Sequence, residues 1–189
     1  IVASASVGAA ISVLVTGKYP NLKTPIHGRH DGAMWYGGKY YPVPKIPGQP
    51  TDYADYNGDI LLMHTGVVRR LTQAGIEATS PTVGSCTQMR LIGDEVFCIQ
   101  TGTTFVLDAL SLEITSSYAN SINMSEKLLS GGDSDLWLSD YSSSRLSNAH
   151  RLDSTGSSIV ESFTLPSFGG DRPSFYVNGN LIVRADNHS

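Results

Sequence analysis

Short apolar segments separated by glycine-containing turns dominate the middle of the chain. Four of them follow one another, at residues 87–92, 95–100, 103–108 and 112–117. The first two are joined by Gly93-Asp94, a dipeptide that suits a hairpin turn because glycine accepts a positive φ. Segments this short, with no room for a helix between them, predict an antiparallel β-meander. One meander cannot bury both of its faces, so it needs neighbours of the same kind.

The same pattern of turn and strand recurs along the chain. A Gly/Asn turn followed by a mostly apolar strand occurs as NGDILLM, GDEVFCI, GGDSDLWL and NGNLIV. With Asp59, Asp94, Asp135 and Asn180 as equivalent markers, the repeats start 35, 41 and 45 residues apart. A period of about 40 residues that carries four strands is typical of propeller blades rather than solenoid coils. The sequence therefore predicts an all-β fold of repeated four-stranded antiparallel meanders, similar to a complete or partial β-propeller.

From about residue 53 to residue 186 the chain resembles the β-propeller proteins of the kelch and quinoprotein-like kind. In these proteins a strand, a Gly-Asp or Asn-Gly turn, a second strand and a segment like VLDALSLEI recur in each blade. The chain departs from that pattern in one respect: its units do not each contain a Trp-Asp pair or a kelch double glycine. The resemblance implies rigid blades with top loops, and it implies no particular function, because one fold serves many functions.

Prolines mark a boundary at about residue 50. Pro42, Pro44, Pro47 and Pro50 predict a stiff, extended linker, since each fixes φ and disfavours helix in the residue before it. We expect an N-terminal β/loop extension in residues 1–50 and the repeat domain in residues 51–189.

The two ends of the chain carry further expectations. Residues 18–30 are rich in proline and polar residues, which predicts a connector without regular structure. The last repeat supplies only two strands, and we expect a strand at residues 10–17 or a hairpin at residues 33–44 to complete it. Because the chain begins with Ile rather than Met, we expect it to be a processed product or a piece of a longer protein.

Charge and composition narrow the range of partners. The net charge is −4 and the basic residues are scattered, which argues against nucleic acid, since that partner requires clustered Lys and Arg. The apolar run at residues 1–15 is too short to span a membrane. The abundance of Ser, Thr, Gly, Asn and Tyr is typical of extracellular or virion-surface proteins. This composition is similar to that of phage tail-tip and adhesin proteins.

The two cysteines, Cys86 and Cys98, lie on either side of the Gly93-Asp94 turn. Their distances from the turn differ by about three residues, so a bulge is needed to bring them opposite each other for a disulfide. Two buried thiols are the other interpretation. Metal binding is not expected from two thiols without histidines at a suitable spacing.

Motifs that would identify an enzyme are missing from the sequence. It contains no nucleophile elbow, no phosphate-binding loop and no His-Glu-x-x-His segment. His27, His30 and Asp31 are close in sequence, but residues three apart in a strand or loop do not converge on one ion. We therefore expect no catalytic residues, no metal and no cofactor.

Carboxylates are the basis of an enzymatic alternative. Asp52, Asp55, Asp59, Asp94 and Glu95 could supply a pair for glycoside hydrolysis in a propeller channel. Turn chemistry already explains Asp59 and Asp94. A lectin is a further alternative, although the aromatic residues are not repeated in each unit as sugar pockets would require.

Aromatic residues give the best indication of function. Trp35, Tyr36, Tyr40 and Tyr41 cluster around Gly37-Gly38 in a predicted hairpin. Aromatic side chains combine a large contact area with a polar tip, which suits protein recognition. The alternative is that they pack beneath the propeller. The sequence predicts a binding or assembly module that uses these four residues on a protein partner, either a copy of itself or a receptor.

Overall fold

The computed structural model describes residues 27–30, 33–36, 39–42, 50–125, 127–132, 134–142, 145–169, 174–178 and 181–185. These residues form strands and turns, and no helix occurs among them. The strands are β1 (His27–His30), β2 (Ala33–Tyr36), β3 (Lys39–Pro42), β4 (Asp52–Tyr56), β5 (Asp59–His64), β6 (Val67–Thr72), β7 (Gly75–Thr79), β8 (Met89–Ile92), β9 (Glu95–Gln100), β10 (Thr103–Asp108), β11 (Ile114–Ala119), β12 (Lys127–Gly132), β13 (Leu136–Ser142), β14 (Arg145–Leu152), β15 (Ile159–Gly169), β16 (Ser174–Asn178) and β17 (Leu181–Ala185).

Three successive antiparallel meanders form the body of the molecule. The first meander contains β4–β7, the second β8–β11 and the third β12–β15, each with its strands in sequence order. The markers Asp59, Asp94 and Asp135 lie at or just before β5, β9 and β13, the second strand of each meander. The prediction of an all-β, propeller-like fold with repeated four-stranded meanders is therefore confirmed.

The second meander matches the sequence prediction closely, except that β8 begins at Met89 rather than at the predicted Thr87 and that the last strand is displaced. Strands β9 and β10 have the predicted bounds, and Gly93 in the turn before β9 has a φ of 57°. Strand β11 begins at Ile114 rather than at the predicted Leu112. The reason is that Leu112 has a φ of 61° and donates its N–H to Asp108 O over 2.8 Å, so it belongs to the turn.

The second strands of the meanders are buried on both faces. In β9, Val96 and Cys98 pack in the apolar cluster between the first and second meanders, and Phe97 and Ile99 pack in the cluster between the second and third. Strand β5 follows the same rule: Leu61 and Met63 face the second meander, whereas Ile60 and Leu62 face β3. Double burial explains why these strands are continuous apolar runs rather than alternating ones.

The meanders stack face to face and converge at their first strands. Strand β4 contacts β8, and β8 contacts β12. Asp52 of β4 accepts a 2.8 Å hydrogen bond from Met89 N of β8, and Gln88 accepts one from Leu129 N of β12. Farther out, Thr104 Oγ1 donates to Gly156 O over 2.6 Å and so fastens the third meander to the second. In a β-propeller the first strands of successive blades lie next to one another around a central axis. Strands β4, β8 and β12 are arranged in this way.

The fourth repeat differs from the expectation. Its strands β16 and β17 form an antiparallel hairpin, but β16 also pairs in parallel with β12, as Gly131–Tyr176 and Gly132–Val177. The result is one six-stranded sheet of order β15-β14-β13-β12-β16-β17. The predicted hairpin near the N-terminus does not complete this repeat, because it belongs to a separate sheet. Residues 10–17, the other candidate, lie outside the described residues.

That separate sheet contains β1, β2 and β3 in this order. Strands β2 and β3 pair as predicted for a hairpin around Gly37-Gly38, and these two glycines lie outside the described residues. The sequence predicted a connector without regular structure over residues 18–30, and this prediction was wrong for residues 27–30. Residues His27–His30 form β1, which pairs with β2.

Candidate functional site

The N-terminal sheet is seated on the first meander through Tyr41. Strand β3 lies against β6 and β7. Tyr41 is 1% exposed and packs with Ile60, Leu62 and Leu71. Its hydroxyl donates a 2.5 Å hydrogen bond to Gly58 O in the turn between β4 and β5. The sequence left two roles open for the aromatic residues, contact with a partner and packing beneath the propeller. Tyr41 has the packing role.

The other aromatic residues divide between the two faces of this sheet. The register pairs Trp35 with Tyr40, and Met34 with Tyr41. Since neighbouring residues of a strand belong to opposite faces, Trp35 and Tyr40 belong to the face away from Tyr41, and Tyr36 shares the face of Tyr41. The side chains of Trp35, Tyr36 and Tyr40 lie outside the part of the chain that the structure describes, so their role in binding stays a prediction.

Two outer strands carry exposed apolar side chains that sequence reasoning missed. Strand β11 ends the second meander, and its Ile114 and Tyr118 are each 36% exposed. On β15 the exposed residues are Ile159, Val160 and Phe163. Phe163 rests on the ring of Trp137, with 5.9 Å between the centroids. The sequence does carry a signal for these residues, because large apolar side chains occur in the last strand of the repeat.

Three of the candidate carboxylates for glycoside hydrolysis, Asp55, Asp59 and Asp94, have structural partners in or near the turns. Asp55 accepts a 3.2 Å hydrogen bond from Gly58 N, and Asp59 forms a 2.7 Å ion pair with Arg70. Asp94 accepts a 3.0 Å hydrogen bond from the Tyr56 hydroxyl, and this bond together with burial raises the pKa of Tyr56. These carboxylates hold turns and join neighbouring meanders, and none of these contacts supports the enzymatic alternative.

A group of polar side chains spans three strands of the third meander. Asp140 of β13 accepts a hydrogen bond from Lys127 of β12 and one of 2.9 Å from Asn148 of β14. Partial burial alone would raise the pKa of Asp140. The hydrogen bonds from Lys127 and Asn148, with the ring of His150 close by, outweigh burial and lower that pKa to about 2.

His150 lies between Asp140 and Ser162. Its Nε2 is 3.1 Å from Asp140 Oδ1, and its Nδ1 is 2.8 Å from Ser162 Oγ. Serine, histidine and carboxylate in a row are the parts of an activated nucleophile. However, Nε2 is close to Asp140 without the alignment of a hydrogen bond, and Lys127 and Asn148 already hold the carboxylate. We therefore assign a structural role to Asp140, His150 and Ser162, which together link β13, β14 and β15.

The described segments contain neither a metal-binding cluster nor a membrane-spanning helix. No group of three or more His, Cys, Asp or Glu in them is placed to hold a metal ion. None of those segments forms a helix with the length and apolar character needed to cross a membrane.

Comparison with known proteins gives matches among solved structures but none among sequences. No protein-family model matches the chain, and no curated protein matches it in sequence. Among solved structures the chain is similar to BamB from Moraxella catarrhalis, with 15% sequence identity and a TM-score of 0.41 over 81% of this chain and 46% of that one. The chain thus spans less than half the length of BamB. A likeness of this size carries no conclusion about function.

Proposed function

We propose that this chain is a non-enzymatic binding or assembly module. The stacked meanders are its rigid scaffold, and the sheet of β1–β3 presents the contact surface. The observation that carries the proposal is the one-sided seating of that sheet: Tyr41 is buried against the first meander, whereas the register assigns Trp35 and Tyr40 to the other face. A sheet fastened by one face holds the other face in a fixed orientation, which lowers the entropy lost on binding.

The chemistry of that face suits a protein partner. Trp and Tyr are enriched at the centres of protein interfaces, where truncation of one such residue often costs about 2 kcal/mol or more. The partner is another copy of the chain or a receptor protein. The composition, rich in Ser, Thr, Gly, Asn and Tyr, supports an extracellular or virion-surface setting such as a phage tail or an adhesin. The domain boundary near residue 50 stays a prediction.

Tryptophan fluorescence tests the proposal without knowledge of the partner. The chain has two tryptophans, Trp35 and Trp137, and Trp137 is only 5% exposed. Trp137→Phe leaves Trp35 as the sole emitter, and Trp35→Phe leaves the buried Trp137 as a matched reference. We expect Trp35 to emit at longer wavelength than Trp137 and to be quenched more strongly by acrylamide. Equal protection of the two indoles would show that Trp35 is a packing residue, and the proposed surface would be wrong.

Stability measurements on the same sheet separate contact from packing. Tyr41→Ala removes a fully buried side chain and should cost about 3–5 kcal/mol, as buried aromatic truncations do. Trp35→Ala and Tyr40→Ala should cost much less, because residues of a contact surface pack little in the free protein. Sedimentation velocity then distinguishes the two partner classes. Self-association that Trp35→Ala abolishes indicates a second copy, and a monomer at all concentrations indicates a receptor.

A further inference from the structure

The two cysteines of the chain meet in the core between the first and second meanders. Cys98 lies on β9, and Cys86 lies in the loop of residues 80–88 that joins β7 to β8. Both are free thiols, 0% and 1% exposed, in the same apolar cluster. The pKa of Cys98 is raised well above its ordinary value, first by a hydrogen bond with Cys86 and then by burial. The two thiols therefore lie beside each other in one buried apolar cluster.

The loop, and not a bulge, brings the thiols together. Strands β8 and β9 pair in a regular register with Met89 opposite Cys98, and β8 begins only at Met89. The bulge expected in this hairpin is absent from the described register. The loop is held from both sides: Val83 N donates to Gly66 O over 2.7 Å, and Ser85 N donates to Gln100 Oε1 over 2.8 Å. Directly after these fixed points the chain turns Cys86 inward, where it is buried.

We propose that Cys86 and Cys98 form a disulfide that fastens the 80–88 loop to β9 when the chain folds in the presence of a low-molecular-weight disulfide such as oxidised glutathione. One cysteine thiolate attacks the sulfur–sulfur bond of oxidised glutathione and releases one glutathione thiolate. The second cysteine thiolate attacks the protein sulfur of this mixed disulfide and releases the second. Two electrons and the two thiol protons pass to glutathione, which leaves as two molecules of reduced thiol.

The burial of both thiols determines when this exchange takes place. The attacking species is the thiolate, and in the folded chain burial and the hydrogen bond with Cys86 resist ionisation of Cys98. Exchange therefore occurs during folding or when the 80–88 loop opens, and it is slow in the closed molecule. Once formed, the bridge is shielded from reductants by the same packing. This inference does not depend on the binding surface proposed above.

Oxidative refolding tests the bridge directly. The full chain is unfolded in urea and refolded either with reduced and oxidised glutathione or with a reducing phosphine, and free thiols are then blocked with N-ethylmaleimide. Trypsin cleaves after Arg70, Arg90 and Lys127, so the bridge should join peptides 71–90 and 91–127. We expect this pair at a mass two hydrogens below the sum of the reduced peptides. Two alkylated thiols, or a glutathione on each cysteine, after refolding with glutathione would overturn the proposal.

Thermal stability gives a second readout. Closure of a short loop by a disulfide should raise the Tm of oxidised over reduced protein by roughly 5–10 °C for a chain of this size. Cys86→Ala and Cys98→Ala should each have the same Tm under both conditions. A wild-type Tm that does not respond to the redox buffer would contradict the bridge even if the alanine variants fail to fold.

Hydrogen exchange locates the effect in the loop. In the oxidised protein we expect slower exchange of the amides of Val83 and Ser85, which lie beside Cys86. The amide of Gly156, in a turn of the third meander, should be unchanged and serves as the control. Equal exchange of Val83 and Ser85 in the two redox states would show that no covalent constraint acts on the loop.

Discussion

Single residues in the turns of the meanders adopt backbone angles that few side chains tolerate. Gly93 and Gly102, in the two turns of the second meander that flank β9, have φ values of 57° and 87°. Leu112 adopts a φ of 61° although it has a side chain. The side chain of Leu112 is fully buried in the core between the first two meanders. Tertiary packing therefore holds this residue in a conformation that its own preference disfavours.

The substitution Gly93→Val tests the backbone requirement at one turn. A β-branched residue is strongly disfavoured at positive φ, so we expect a loss of about 1–3 kcal/mol, measured by chemical or thermal unfolding. A Cβ at Gly93 would meet nothing within 4 Å, so the loss comes from the backbone alone. Gly93→Asn is the control, because Asn tolerates this region, and it should lose much less. Equal losses in the two variants would contradict the assignment.

At the scale of the elements, polar side chains hold the strands of the third meander together where the apolar core ends. Leu136 and Leu138 of β13 pack against the second meander. Farther along the same strand, Asp140 binds Lys127 and Asn148 of the two flanking strands. A carboxylate that accepts hydrogen bonds from both sides joins three strands through one residue. Its contribution requires the charged form, which makes it dependent on pH.

The variant Asp140→Asn should show that dependence. The folded-state pKa of Asp140 is about 2, below the ordinary value of 3.8. The stabilisation is therefore fully present above about pH 5 and is lost as the pH falls from about 4 towards 2. We expect the Tm of the wild type to exceed that of Asp140→Asn at pH 7 and the difference to shrink between pH 5 and 3. The exposed Asp135→Asn serves as control, and a difference independent of pH would contradict the ionic role.

At the scale of the whole molecule, neighbouring meanders share their cores. Strand β9 contributes Val96 and Cys98 to one apolar cluster and Phe97 and Ile99 to the next. Neither the first nor the third meander can lose contact with β9 without exposing a face of the second. In stacked repeats, such nearest-neighbour interfaces supply the coupling that makes unfolding cooperative.

The variant Phe97→Ala tests this coupling. Truncation of a buried Phe should cost about 3–5 kcal/mol. The matched change Phe163→Ala, on a residue that is 40% exposed, should cost about 1 kcal/mol or less. We expect urea unfolding curves followed by far-UV circular dichroism and by tryptophan emission to coincide in both variants. An emission transition that precedes the loss of strand signal would show that the third meander unfolds on its own.

The internal plan of each meander could be predicted from the sequence because it depends on residues that are close along the chain. The bounds of β9 and β10, the turn at Gly93 and the equivalence of Asp59, Asp94 and Asp135 all follow from turn chemistry and apolar runs. The aromatic hairpin of β2 and β3 was found in the same way. These are local preferences, and the structure retains them.

Contacts between distant residues decided what the sequence pattern could not. The parallel pairing of β16 with β12 merges the fourth repeat into the third sheet, and no local signal marks that pairing. Tyr41 packs on the first meander because a complementary apolar face at Ile60 and Leu62 is present there. Cys86 lies beside Cys98 because Gly66 of the first meander and Gln100 of the second hold the loop just before Cys86. Either face of an aromatic hairpin can pack against a neighbour, and a loop can adopt many conformations. Only burial against a particular neighbour selects one face or one conformation.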